Sequence, residues 1–147
     1  MRPERADTLG ALTAPHAARP HPADDAIERA GDGAYDLFWS LSFALTREAW
    51  LLLGGFSPDY EGYGAEDTDY AARAREHGVP LLWVGGAHAY HQWHPTQSPP
   101  VQHVDDILRN GAAFAARWGR WPMLGWLEAF ERMGIVERGP DGWRRAA

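Results

Sequence analysis

Gly54-Gly55-Phe56-Ser57-Pro58-Asp59-Tyr60-Glu61-Gly62-Tyr63-Gly64-Ala65-Glu66-Asp67-Thr68-Asp69-Tyr70 sets four glycines and two tyrosines just ahead of a packet of carboxylates. Two readings of that packet are open. Acidic residues favour the first turn of a helix, where free N–H groups and the macrodipole attract negative charge. Adjacent carboxylates behind a glycine-rich, aromatic loop also suit a sugar site, because the faces of a sugar ring are weakly apolar and stack on tyrosine. On either reading a helix runs from Glu66 to His77 and is closed by Gly78. Asp69 and Arg73 then form an exposed i, i+4 pair contributing about 0.5 kcal/mol.

Upstream of this stretch, Tyr35 to Leu45 is aromatic and apolar enough for a largely buried strand. Thr46 caps a short helix through Trp50 and Leu53, which Gly54-Gly55 stops. Downstream, Val79 to Val84 reads as a strand. Ala87 to His91 reads as another, with Ala87, Ala89 and His91 on one face and His88 and Tyr90 on the other. Pro99-Pro100 introduces a helix whose Val104, Ile107, Leu108, Gly111, Ala115 and Trp118 follow the 3.6-residue stripe. A further helix starts at Pro122, buries Met123, Trp126, Leu127, Phe130 and Met133, and stops at Gly134. The Gly139-Pro140-Asp141-Gly142 turn closes a terminal hairpin. Residues 1–33 lack a sustained apolar period and read as a loop or disordered arm, leaving 34–147 as one α/β domain.

Bulk composition bounds the chemistry. A chain of 147 residues, 45% hydrophobic, holds one core and is expected to be a single soluble domain. The net charge of -6 argues against a nucleic-acid partner, which requires a basic face. All 14 basic residues are arginine, and cysteine is absent, so disulfides and thiolate metal sites are excluded. The sequence after Met1 is polar where a signal peptide would be apolar. Its apolar runs fall short of the roughly 18 residues of a membrane helix. The expected location is therefore cytoplasmic.

Two further features could carry chemistry. His91 and His94, at i, i+3, could contribute to a metal site, or could be ordinary polar residues at a strand end, since two ligands are too few for a structural ion. Of the eight tryptophans, most lie on apolar faces and read as core. Trp93, between the two histidines, is the exception.

Taken in order, Arg47-Glu48-Ala49-Trp50, Gly54-Gly55-Phe56, Gly62-Tyr63-Gly64-Ala65-Glu66-Asp67-Thr68-Asp69, an arginine-bearing helix ending His77-Gly78, and a strand into Tyr90-His91 resemble the C-terminal half of GT-A fold glycosyltransferases. The similar groups are the family 2 transferases and the galactosyltransferase C-terminal domain. The resemblance implies a partial GT-A-like mixed sheet with flanking helices. It also implies transfer of a sugar from a nucleotide-sugar donor to an acceptor hydroxyl, donor-dependent binding of Mn²⁺ or Mg²⁺, and inversion at the anomeric carbon.

By position, the resemblance makes Asp67 the catalytic base and Glu66 the residue that orients the acceptor. Tyr63, Gly64 and Trp93 would line the acceptor site. His91 would complete the metal site, with His94 as second choice. The N-terminal nucleotide-binding βαβ half and its Asp-x-Asp strand are not found in this sequence. Asp67-Thr68-Asp69 spells that pattern but sits at a helix start and belongs to the acceptor motif. The chain is accordingly expected to be a fragment, or a piece needing a partner half, and inactive alone. A noncatalytic carbohydrate-binding remnant and a histidine-based metal-binding protein are the alternatives.

Overall fold

The computed structural model describes residues 16–147. The reading of an N-terminal arm therefore lies partly outside the described residues. The chain is mixed α/β and divides into two compact units. One runs to Leu53 and resumes over Ala71–Pro95; the other comprises Gly54–Tyr70 and Thr96–Ala147.

In the first unit, β1 (Ile27–Arg29) pairs antiparallel with β2 (Leu82–Val84), Glu28 facing Trp83. β1 lies inside the stretch read as loop or arm. Two bonds extend the pair, Gly85 N–H to the Ala26 carbonyl and Ala30 N–H to the Leu81 carbonyl, both 2.9 Å. Gly85 has no room for a side chain, because a Cβ would collide with the Ala23 carbonyl.

The strand expected over Tyr35–Leu45 is not formed. Asp32–Leu37 is a 3-10 helix, and the residues up to Leu45 are turns and coil. The physical reason is where the backbone groups find partners. Arg19 donates to the carbonyls of Leu37 (3.1 Å) and Trp39 (2.9 Å), with its guanidinium over the rings of Trp39 and Trp83. Tyr35 donates its hydroxyl proton to the Val79 carbonyl at 2.9 Å and accepts from Leu81 N–H. A side chain thus supplies what a neighbouring strand would have supplied.

The strand expected over Ala87–His91 is also absent, these residues being exposed coil after Gly86. Alternation alone does not make a strand where alanines leave little surface to bury. The short helix is as expected: α1 (Arg47–Leu53) begins with Ala49 N–H donating to Thr46 Oγ1 at 3.2 Å. α2 (Glu66–Glu76) follows, and Gly78, at φ +69°, ends it in the left-handed region.

The second unit holds the main hydrophobic core. α3 (Val104–Trp118), α4 (Leu124–Arg132) and the hairpin β3 (Val136–Gly139) and β4 (Gly142–Arg145) bury Val104, Ile107, Leu127, Phe130, Val136 and Trp143 together. Gly111 is required on α3 because the Trp121 ring lies where a Cβ would go. Arg145 forks onto Asp105 of α3, Nε to Oδ1 at 2.8 Å and Nη2 to Oδ2 at 3.1 Å, which fixes the hairpin to the helix. Met133, expected on the buried face of α4, is more than half exposed. The helix ends at Arg132, and Gly134 at φ +70° turns the chain into the hairpin.

Asp69 is the largest departure in this unit. It is fully buried, not part of an exposed pair. Its Oδ1 accepts from the Tyr60 hydroxyl at 3.1 Å and from Trp118 Nε1–H at 2.9 Å, and Arg117 Nη1 lies 3.3 Å away. Burial, then the charge and hydrogen bond of Asp69, pushes the Tyr60 phenol well above its ordinary range, so Tyr60 stays a donor. Arg73 meanwhile donates to the Leu53 carbonyl at 2.6 Å. Removing the acceptor from buried donors costs far more than losing a surface pair: Asp69→Ala is expected to lower stability by about 3 kcal/mol. Urea unfolding followed by tryptophan fluorescence checks this. A loss near the 0.5 kcal/mol scale of an exposed pair would contradict the buried role.

Candidate functional site

The loop before α2 is shaped by backbone that only small residues adopt. Gly62, Gly64 and Ala65 have φ of +74°, +94° and +78°. For Ala65, fully buried, the left-handed conformation is disfavoured by about 1–2 kcal/mol. The two glycines are needed for space as well. A side chain at Gly62 would run into the Asp106 carboxylate, and one at Gly64 into Met123 Sδ.

Asn110, on α3, closes on this loop. Its Nδ2 donates toward the carbonyls of Glu61 and Gly64, both at 2.9 Å, and of Tyr63 at 3.3 Å, while its Oδ1 accepts from Glu61 N–H at 3.4 Å. Arg109 adds a second donor to the Glu61 carbonyl and binds Asp106 Oδ1 at 2.7 Å. The loop delivers Tyr63 to the surface. Its ring stacks on His103, with centroids 4.3 Å apart and planes 10° apart, and tilts toward Trp126 at 5.7 Å.

Glu66 and Asp67 open α2, near enough for their charges to act on the Tyr63 hydroxyl. Both are partly buried. Asp67 Oδ1 accepts from Thr68 N–H at 2.8 Å. Glu66 Oε2 is buried and has no hydrogen-bond partner among the described residues. Burial pushes the Glu66 carboxyl above its ordinary value and the Asp67 charge adds to that, although backbone amides of Glu66 and Gly64 pull the other way. The Tyr63 hydroxyl is raised too, by burial and then by the charges of Glu66 and Asp67, which keeps it a proton donor beside two acceptors. Tyrosine ring, phenol proton and two carboxyl groups thus form one small polar and aromatic surface. One face of the Tyr63 ring is taken up by His103, so a further stacking partner would use the other.

The structure therefore brings together Tyr63, Gly64, Glu66 and Asp67 within the second unit. Trp93, His91 and His94 lie in the first unit, all exposed. The His91 and His94 rings are 5.1 Å apart, and His94 Nδ1 lies 3.2 Å from the Pro95 carbonyl. No group of three or more His, Asp or Glu side chains suited to a metal occurs among the described residues. Most tryptophans are at least partly buried, as expected of core residues. Trp50 is a second exposed one beside Trp93. Asn110, His103 and Trp126 are missing from the sequence-based site. Asn110 carried a signal: it is polar yet sits three residues after Ile107 and four before Phe114, on the buried stripe of α3.

Residues 28–94 match the model of a family described as the N-terminal domain of galactosyltransferase. All seven site residues expected from sequence fall in that segment. Two curated proteins, the validoxylamine A glucosyltransferases of Streptomyces hygroscopicus subsp. jinggangensis (strain 5008) and of subsp. limoneus, are each 36% identical to this chain over 44 residues. That alignment covers 30% of this chain and 10% of each relative, so the match spans about a tenth of their length. No solved structure matches. Over these segments the chain is thus similar to a galactosyltransferase family and to two glucosyltransferases.

The buried, unpaired oxygen of Glu66 gives a measurable signature. A carboxyl raised in the folded state binds its proton more tightly there than in the unfolded chain. Its ionisation therefore weakens the fold as pH climbs from the ordinary value of 4.5 to the raised one. Glu66→Gln cannot ionise. The variant is expected to melt higher than the parent at neutral pH, with the gap closing below pH 4.5. Melting curves across this range test it, and a gap independent of pH would contradict it.

Proposed function

We propose that the chain forms the acceptor-side catalytic part of an inverting, metal-dependent glycosyltransferase that uses a nucleotide-activated sugar. The observation that carries this reading is the pair Glu66 and Asp67 at the start of α2, their charges acting on the Tyr63 hydroxyl, within the segment that matches a galactosyltransferase family. The antiparallel β1–β2 pair would then belong to a larger GT-A-like mixed sheet. Donor binding is assigned to a nucleotide-binding βαβ half of the same enzyme.

In this reading Tyr63 and Gly64 hold one face of the acceptor, and Glu66 holds its hydroxyls. Asp67 takes the proton of the attacking hydroxyl as its oxygen bonds to the anomeric carbon. The bond from that carbon to the diphosphate breaks, and the nucleoside diphosphate leaves with the electron pair. A sugar hydroxyl is a poor nucleophile at neutral pH, so a positioned carboxylate contributes typically 10²-fold or more to the rate. Asp67 suits this role better than Asp69, whose carboxylate is buried and engaged by Tyr60 and Trp118.

The two imidazoles of His91 and His94 fit a divalent ion only as part of a ligand set, because two nitrogens leave most positions to other oxygens, such as those of the donor diphosphate. His91 would be the main protein ligand of the pair, and the ion, when bound, would neutralise charge on the departing diphosphate. Trp93, exposed beside them, is assigned to the acceptor.

Asp67→Asn keeps shape and removes the base. It is expected to cut turnover by roughly 10²-fold or more, with an unchanged melting temperature. The assay uses an enzyme containing this chain, and near-normal turnover would refute the reading. In the same assay His91→Ala is expected to raise the Mn²⁺ concentration required more than His94→Ala does; the reverse order would reassign the ligand.

A further inference from the structure

Resting on the acceptor-site reading, we propose that Asn110 is a positioning residue for acceptor binding. It sets the backbone of Glu61 to Gly64 and, through it, the placement of the Tyr63 ring and the Glu66 carboxyl. The residue lies on α3, beyond the segment that matches the galactosyltransferase family.

Three residues on one side of the chain entering and forming α3 meet three successive parts of the loop. His103, Asp106 and Asn110 are spaced i, i+3 and i+7, which places them one above another over two turns. His103 stacks on the Tyr63 ring. Asp106 backs Gly62. Asn110 takes up the carbonyls of Glu61, Tyr63 and Gly64. The stripe therefore grips Tyr63 twice, by its ring and by its backbone, with the loop laid along the helix.

Only an amide of this length meets the demand at position 110. The carbonyls need a donor, and Glu61 N–H needs an acceptor on the same side chain. Aspartate would turn a carboxylate oxygen toward the carbonyl oxygens, and serine is too short to span them. The side chain is 1% exposed, so water cannot take over these bonds. What the bonds hold is a backbone with left-handed residues at Gly62, Gly64 and Ala65, which leads directly into Glu66. Released, that backbone has easier conformations available, and both Tyr63 and Glu66 move with it.

The test compares Asn110→Asp and Asn110→Ser in the 147-residue chain by NMR. The His103 ring protons carry an upfield displacement from the stacked Tyr63 ring, whose size Tyr63→Ala calibrates. The Trp118 indole N–H, bound to Asp69, reports whether the second unit remains folded. The expected result is that the His103 displacement collapses to the Tyr63→Ala value while the Trp118 signal stays in place.

In an enzyme containing the chain, the same variants should raise acceptor KM roughly 10- to 100-fold with donor KM unchanged, the scale on which misplacement of a positioning group acts. A merely structural residue would lower the active fraction and leave acceptor KM alone. Retention of the His103 displacement in both variants overturns the proposal, as does an unchanged acceptor KM. Loss of the Trp118 signal in both would make Asn110 a folding residue and overturn it as well. The NMR readout does not depend on sugar transfer, so its failure is separable from failure of the Asp67 reading.

Discussion

A buried carboxylate organises the second unit. Asp69 has no exposed surface, and an ionised group there is tolerable only if its lone pairs are occupied. Tyr60 from the loop and Trp118 from the last turn of α3 both donate to its Oδ1, and Arg117 supplies opposite charge from the same turn. The start of α2 is thereby joined to the end of α3 and to the loop that precedes α2. Phe56, whose ring lies 4.8 Å from that of Tyr70, adds an apolar contact on the same side. With Asp69 holding one end of the loop at Tyr60 and Asn110 holding Glu61 to Gly64, little freedom remains for the residues that present the candidate site.

That arrangement explains why the loop is rich in glycine. Mobility is the usual inference from such a composition, and it fails here. Gly62 and Gly64 are present because the backbone is left-handed at both and because Asp106 and Met123 occupy the space a Cβ would need. The glycines permit close approach to α3, and the approach is what lets the Asn110 amide reach three carbonyls at once. A tight loop of this kind can carry an exposed aromatic ring in a fixed orientation, which binding a rigid sugar ring rewards, since less entropy is lost when the ligand arrives.

The sequence was legible where a single local signal decided the outcome. Thr46 before α1, Gly78 after α2, the apolar stripe of α3 and the Pro140-Asp141 turn each act within a few residues and each produced the element expected. Reading failed where partners come from far along the chain. Tyr35–Leu45 has the composition of a strand, yet Arg19, about twenty residues earlier, satisfies its carbonyls. Asp69 has the spacing of a surface pair with Arg73, yet Trp118, 49 residues later, donates to it. Of the candidate site, the carboxylates, Tyr63 and Gly64 could be named from their own neighbourhood. The polar position of Asn110 on an apolar stripe was visible, but the loop it serves was not.

The carboxylates of the Glu66-Asp67-Thr68-Asp69 run occupy different surroundings at one helix start. On a helix, residues two apart face nearly opposite ways, so Asp67 and Asp69 cannot share an environment. Asp69 points inward, its Oδ1 engaged by Tyr60, Trp118 and Arg117. Asp67 faces the other way, partly buried, with a backbone N–H of the same turn donating to it. Glu66, a residue earlier, is pressed against the Tyr63 loop with one oxygen buried and unpaired. The two adjacent carboxyls therefore sit in different surroundings, Glu66 raised by burial and Asp67 accepting a local backbone hydrogen bond. The acidic packet is thus divided, because Asp69 is buried in the helix start while Glu66 and Asp67 remain only partly buried.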